Sequence, residues 1–271
     1  MAETPVQVNE VKAEAAPTPP PETTALLTKF RAVVSSGGKR SNAVFTIDNL
    51  KSIVETVAML SDTVTFLIDD EGIRMRELDK ARIALMEAKL PSRIFLDFFA
   101  DGEGSVTVDS KSLLAVVRRA KSKEVELKFE DGVLVITIAG ARSFRVRTLD
   151  NTGEEAPEPK TNHTASAVID TELFKEALID AKVIKADTIK LLAENGVLLF
   201  RALNETKGVE VRLGPAEGSA SSTYSLDYLT KAIKAFGNGV VEVKFGNSAP
   251  LELSTTFNEG YIKVYIAPRV E

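Results

Sequence analysis

From Ala43 onward, apolar residues follow two rhythms: every second position in short runs, and every third or fourth position in four longer ones. The first rhythm predicts half-buried strands and the second amphipathic helices. Val44-Phe45-Thr46-Ile47 reads as a strand, and Asp48 as the N-cap of a helix to Leu60 with Leu50, Ile53, Val54 and Val57 at helical spacing. Strands follow at 63–68, 72–78 and 82–90, the first two joined by the turn Asp69-Asp70-Glu71-Gly72. The order then returns: a strand at 105–108, a helix at 111–123, and strands at 125–129, 133–139 and 142–149.

Beyond a linker at 150–164, which carries Gly153, Pro157 and Pro159, the pattern starts again. A strand at 165–169 leads to a helix opened by Asp170, then strands near 188–193, 197–202 and 209–213. A helix at 226–236 and strands at 240–245, 251–254 and 261–266 complete it. Ile47-Asp48 returns as Ile169-Asp170, and Val125-Glu126-Leu127-Lys128-Phe129 as Val241-Glu242-Val243-Lys244-Phe245. Such self-similarity marks duplicated structural units. The expected fold class is α+β: two similar domains, each of two β-α-β-β-β units, with the helices on one face of antiparallel sheets. The expected boundaries are an extension at 1–41, a first domain at 42–149, a connector at 150–164 and a second domain at 165–271. The extension holds Pro5, Pro17, Pro19, Pro20 and Pro21 and too little apolar surface to offset its ordering entropy, so it is expected to be largely disordered. Only 26–34 is apolar enough for a short strand or helix.

Two domains of this length can each bury a core. No apolar run approaches the roughly 18 to 20 residues of a membrane span, and the N-terminus lacks the form of a secretory signal, so no membrane partner is expected. The absence of cysteine excludes disulfides, thiolate catalysis and cysteine-based zinc sites. A net charge of −5 argues against a partner that is itself a polyanion, until the charges are placed. The window 111–123, KSLLAVVRRAKSK, has five basic residues and no acid. On a helical wheel Leu113, Val116, Val117 and Ala120 share one side, opposite Lys111, Arg118 and Arg119. Across the windows 49–60, 111–123, 171–185 and 226–236 there are 11 basic and 5 acidic residues, leaving −11 for the rest. Helices gathered on one face would give that face an attraction for DNA. The basic window has no aromatic residue, so loose backbone contact is expected there rather than base stacking.

Catalytic chemistry is sparse. His163, the single histidine, falls in the linker without a cysteine or an acid relay. Gly37-Gly38-Lys39-Arg40-Ser41 lacks the earlier glycine and the Ser/Thr that a phosphate loop requires. Asp97, Asp101 and Glu103 miss calcium-loop spacing because Phe99 stands at a ligand position. No enzyme activity, metal or cofactor is therefore expected.

Three stretches carry a family resemblance. The run 72–85, GIRMRELDKARIAL, resembles the diagnostic segment of proliferating cell nuclear antigen, the archaeal and eukaryotic DNA sliding clamp. Ser222-Thr223-Tyr224-Ser225-Leu226-Asp227-Tyr228-Leu229 is similar to that family's lead-in to its last helix, and Tyr265-Ile266-Ala267-Pro268-Arg269-Val270-Glu271 to its C-terminal motif. The resemblance implies one subunit of a pseudo-six-fold ring, completed by two further subunits of the same or a related kind. Such a ring would encircle double-stranded DNA without reading sequence, act as a polymerase processivity factor, and need a clamp loader. It would recruit DNA polymerase, flap endonuclease and DNA ligase type clients, in the cytoplasm at the nucleoid of an archaeal cell or in the nucleus of a eukaryotic one. Lys51, Lys111, Arg118, Arg119, Lys121, Lys175, Lys182, Lys231 and Lys234 are the implied DNA-facing cations. Leu78, Leu85, Pro250, Tyr265, Ile266, Ala267 and Pro268 are the implied client-peptide pocket. Phe144, Val146, Val209 and Val211 are the implied apolar contacts where edge strands 142–149 and 207–213 of neighbouring subunits pair. The connector departs from the family in having no large apolar residue in 151–164. A clamp-fold scaffold, or a specialised subunit that does not encircle DNA alone, is the alternative reading.

Overall fold

The computed structural model describes residues 27–36, 45–121, 123–150 and 156–269. The proline-rich leader, the loop expected at 37–41, Val44, connector residues 151–155 and the last two residues lie outside them. The first half runs β1 (Lys29–Val34), α1 (Ile47–Leu60), β2 (Thr63–Asp69), β3 (Gly72–Leu78), β4 (Ala84–Pro91), β5 (Asp97–Asp101), β6 (Gly104–Asp109), α2 (Ser110–Val117), β7 (Val125–Glu130), β8 (Val133–Ile138) and β9 (Arg142–Arg147). The second half repeats it: β10 (Ala165–Asp170), α3 (Thr171–Val183), β11 (Thr188–Glu194), β12 (Val197–Leu203), β13 (Gly208–Pro215), β14 (Glu217–Gly218), β15 (Ala220–Ser225), α4 (Leu226–Ala232), β16 (Val240–Phe245), β17 (Leu251–Phe257) and β18 (Gly260–Ile266). Short 3-10 turns at Arg118–Ala120 and Ile233–Phe236 extend α2 and α4.

One expectation is corrected at the start of the chain. The strand of the first unit is β1, inside the segment assigned to the extension, and not the described part, 45–47, of the expected strand. Phe30, Ala32 and Val34 are buried while Lys29 and Arg31 stay exposed, and β1 pairs with both β5 and β7. Residues 45–47 lead into α1 instead: Phe45 packs edge-on to Phe95 at 5.7 Å between ring centroids, and Ile47 is the buried first residue of the helix. The short edge strand β5, which the alternation of Asp97 to Asp101 did not reveal, closes the sheet beside it.

The two halves have the same strand order. β5-β1-β7-β8-β9 in the first is matched by β14-β10-β16-β17-β18 in the second, and β4-β3-β2-β6 by β13-β12-β11-β15. They join where β18 pairs antiparallel with β4, with Ile262 opposite Ala88, Val264 opposite Met86 and Ile266 opposite Ala84, so one nine-stranded sheet crosses the boundary. All four helices form one layer against the sheets. α1 packs against α2 and against the turn after α4, and α4 packs against α3. A continuous apolar core lies between the layers and includes Ile53, Val57, Phe174, Phe200, Val243 and Val264. Each such side chain removed from water contributes roughly 1.5–3 kcal/mol.

Local chemistry sets the helix starts. Asp109 accepts the N–H of Ser112 at 2.7 Å, and Asp170 that of Leu173 at 2.9 Å, satisfying donors that a helix's first turn leaves open. Asp170→Ala is expected to lower stability by about 1 kcal/mol, read from the urea midpoint. Gly72 begins β3 with φ +146°, and a Cβ there would stand 2.2 Å from the Leu90 carbonyl, so only glycine fits.

The first half contains one break in a ladder. β2 and β3 pair only from Leu67–Arg74 to the turn, whereas β11 and β12 stay paired as far as Ile189–Ala202. In the gap the Glu77 carboxylate accepts the Thr65 N–H at 2.6 Å, and across the intact β2–β6 ladder the Thr65 and Thr107 hydroxyls lie 3.0 Å apart. Burial pushes the Glu77 carboxyl up to about 7.

Candidate functional site

The three sequence stretches that carry the family resemblance converge. Between β3 and β4 the chain turns at Asp79, whose carboxylate accepts the N–H groups of Ile83 (2.6 Å), Ala84 (2.7 Å) and Ala81 (3.1 Å). The same carboxylate accepts the Tyr228 hydroxyl of α4 at 2.7 Å, tying the first half to the second. The C-terminal segment completes the junction: Ala267 N–H donates to the Ile83 carbonyl and Arg269 N–H to the Thr223 carbonyl, both at 2.8 Å. Burial raises the Asp79 carboxyl, but the hydrogen bonds from Ala84, Tyr228, Ile83 and Ala81 outweigh it and hold it below the ordinary carboxylate range.

On the sheet face away from the helices, Leu78, Leu85 and Tyr265 stand opposite one another on β3, β4 and β18. They form an apolar row beside Ala267 and Pro268, which are partly buried, and Pro250 lies at the start of β17. Ile266 is a correction to the pocket set. It is fully buried in the main core, because its neighbour Tyr265 takes the outer face and side chains alternate along a strand.

The next row is charged. Arg76 lies opposite Glu87, with Nη2 3.5 Å from its carboxylate, and Lys263 is the strand partner of Glu87 on β18. The Tyr261 hydroxyl also donates to Glu87. Arg76 Nη1 reaches up to the Ala156 carbonyl of the connector at 3.2 Å. Farther along, His163 Nε2 lies 3.2 Å from the Pro250 carbonyl and Nδ1 3.9 Å from Glu252. A Cβ on Gly246 would stand 2.1 Å from the Asn162 carbonyl, which is how closely the connector is laid against the sheet. Among its described residues the connector is therefore anchored by polar contacts, where the sequence offers no large apolar side chain. The buried acids Glu87 and Glu252 are members of this network that sequence reasoning missed. Each occupies an ordinary outward strand position, where Arg76 and Tyr261 close over Glu87 and His163 of the connector and Lys263 flank Glu252.

The helix layer carries the expected cations, but most are paired. Lys51 meets Asp48 (3.2 Å), Lys111 meets Asp62 (3.3 Å), Lys175 meets Glu172 and Lys231 meets Asp227 (both 2.7 Å). Arg118 (3.0 Å) and Lys234 (3.6 Å) share Glu55 across the boundary between halves. Arg119, Lys121 and Lys182 are exposed and have no ion pair among the described residues. The layer is thus less basic than the windows suggest, since α1 begins at Ile47 and brings Asp48 with it, and Asp62 lies just past its end.

Of the six edge strands in the described sheets, two matter for assembly. β9 has β8 as its sole strand neighbour among the described residues, and β13 has only β12. Val146 is 9% exposed and belongs to the core, and Phe144, Val209 and Val211 are half-buried against it. These four expected interface residues face the layer between sheet and helices. The edges themselves present backbone, with Arg145 and Glu210 on the outward face.

Comparison with known proteins gives a consistent answer. The sequence profile described as proliferating cell nuclear antigen, N-terminal domain, matches residues 44–148. A DNA polymerase sliding clamp of Pyrococcus horikoshii is 33% identical over 234 residues, which is 81% of this chain and 94% of that one. The structure of PCNA from Thermococcus kodakaraensis superposes with a TM-score of 0.79 at 25% identity, over 89% of this chain and 100% of that one. A. fulgidus PCNA, solved with the C-terminal region of FEN-1 bound, shares the fold with a TM-score of 0.79 at 20% identity, over 89% of this chain and 99% of that one.

Proposed function

The chain belongs to the proliferating cell nuclear antigen family of DNA polymerase sliding clamps, and on that footing we propose that three copies of it close into a ring around duplex DNA and tether replication and repair enzymes there. Tethering of this kind needs no chemical step by the clamp itself. A ring holds DNA by topology, so a helix layer whose cations are mostly neutralised by neighbouring acids is adequate: it exchanges contacts with phosphates without gripping them. The protein works where the chromosome is, the cytoplasm of an archaeal cell.

The observation that carries the ring is that two of the edge strands are the counterparts of the two strands that meet in the internal joint. Inside one chain, β18 of the second half pairs with β4 of the first. The strands in the same places of the opposite halves are β9 and β13, and both are open. Repeating the internal joint between copies continues the sheet from chain to chain and covers edges that would otherwise invite aggregation. The register follows as well. Through the matching ladders, Phe144 stands in the place of Val264 and Val209 in that of Met86, which face each other inside the chain. Phe144 of one copy therefore stands opposite Val209 of the next, and Arg145 lies within diagonal reach of Glu210.

The helices support the same partner. Aligning their buried positions puts Ile179 in the place of Glu55 and Asp180 in that of the fully buried Thr56, while Arg119 takes the place of Ala235, which is 3% exposed. Repeating the joint brings Arg119 of one copy to Asp180 of the next, both exposed and without an ion pair among the described residues. It also covers Ile179 and Val183, which are 59% and 71% exposed. On this reading Arg119 belongs to the subunit joint and not to the DNA-facing set. The apolar row Leu78–Leu85–Tyr265 is the dock for client peptides, among them the loader, polymerase, flap endonuclease and ligase classes. In the A. fulgidus relative a FEN-1 segment is bound to the clamp.

The natural chain has no cysteine, so a Phe144→Cys, Val209→Cys variant tests the joint cleanly. Oxidation is expected to give a covalent trimer on a denaturing gel, and neither single variant should do so. A ring sealed after loading should stay on closed circular DNA and leave once the circle is cut. A folded double variant that remains monomeric by light scattering and does not cross-link would refute self-assembly.

A further inference from the structure

A polar cavity of about 300 Å³ opens where the end of α1, the β3–β4 turn, the start of α2 and α4 meet. Its charged lining is Lys80, Lys111, Lys231, Asp62 and Asp79, with Tyr228. Asp79 is spent on three backbone N–H groups and the Tyr228 hydroxyl and is 6% exposed. Toward solvent the cavity therefore presents three ammonium groups and one carboxylate. Lys80 and Lys111 both close on that carboxylate, Asp62, while their side chains remain 83% and 70% exposed. Lys231 stands 5.2 Å over the Tyr228 ring and pairs with Asp227.

We infer that this cavity is a seat for one backbone phosphate of the encircled DNA, held by Lys80 and Lys111 with Lys231 beside them, and that the Asp62 carboxylate is the resident anion which the phosphate displaces. The inference rests on the reading that the helix layer faces DNA. Two observations favour a phosphodiester over an acidic client peptide. Lys111 and Lys231 project from helices of the DNA-facing layer, and the apolar row Leu78–Leu85–Tyr265 lies on the opposite face of the sheet. Lys80 joins the DNA contacts although it sits on a turn and was not among the helical cations. Its flanking Asp79 fixes the turn backbone, so the Lys80 side chain reaches into the cavity from a fixed root. Anion-for-anion exchange suits a sliding contact, because each lysine trades one partner for another and is never left bare.

Amide chemical-shift mapping of the full chain with a short DNA duplex tests this. The expected result is movement at residues 61–62, 80 and 111 that fades with added salt. Lys80→Ala, at an exposed position, should weaken duplex binding severalfold and lower the slope of log affinity against log salt by about 1. Asp62→Asn should tighten binding severalfold and steepen that slope by about 1 to 2, since two lysines lose their resident partner. Helix-layer amides that respond while these stay still would overturn the seat and leave the DNA-facing reading standing. If no helix-layer amide responds, both fail. Movement with an acidic client peptide but not with DNA, or an Asp62→Asn variant that binds no more tightly, would also overturn it.

Discussion

Replacing Asp79 by alanine is expected to remove about 3 kcal/mol of stability, because one buried and three part-buried donors lose their acceptor at once. Its carboxylate, 6% exposed, accepts three N–H groups of its own turn and the hydroxyl of Tyr228. A buried donor left unmatched forfeits roughly 1–3 kcal/mol, and nearby groups can recover only part of that. The control is Tyr228→Phe, which keeps the ring and the turn but drops the inter-half hydrogen bond, for a loss of about 1–2 kcal/mol. Urea midpoints at fixed chain concentration measure both, since the proposed self-assembly would make apparent stability depend on concentration. The pH dependence has a definite sign. The folded-state pKa of Asp79 is depressed, so its contribution is present above the ordinary carboxylate range and is lost as pH falls through and below it. An Asp79→Ala variant as stable as the parent at neutral pH would show that the turn and the join hold without this carboxylate.

Glu77→Gln is expected to act in the opposite direction and stabilise the chain by about 3 kcal/mol above neutral pH. Burial drives the Glu77 carboxyl from 4.5 to about 7, so the folded chain holds its proton more tightly than the unfolded chain does. Stability therefore falls as pH rises from about 4.5 to about 7 and stays at the lower level above that. Glutamine has nearly the same shape and keeps an oxygen for the Thr65 N–H, but has no charge to bury. Denaturation midpoints of the parent should decline across that interval, and those of the variant should not. A variant no more stable than the parent well above pH 7 would refute the account. It would mean that the ionised carboxylate is sustained by its hydrogen bonds in the β2–β3 gap.

Both residues show the limit of reading in one dimension. Asp79 lies in a stretch whose residue types resemble the family's, yet nothing local says that its second oxygen belongs to Tyr228, 149 positions away. Glu77 shares the inward parity of Ile73 and Met75, yet nothing along the chain says what its carboxylate meets there. The Thr65 N–H is open to it because β2 and β3 part beyond Leu67, which the matching strands of the second half do not do. Residues 44–47 show a different failure. Their apolar content suits a strand, but Ile47 already begins a helix, and the strand role falls to Lys29–Val34 upstream.

What the sequence determined by itself is the repeated order of strands and helices, the amphipathic character of each, and the family resemblance. These are periodicities and short motifs, fixed by which residues must leave water and by local capping and turn chemistry. What only the tertiary structure decided is which charges are free and which edges are open. Lys51, Lys111 and Lys231 look like Arg119, Lys121 and Lys182 along the chain, but in space the first three have carboxylate partners and the others have none among the described residues. β9 and β13 read like any other strands until the β18–β4 joint shows what such edges do when they meet. Pairing of charges and of backbone edges depends on distances between residues far apart in sequence, and those distances exist only once the layers have packed.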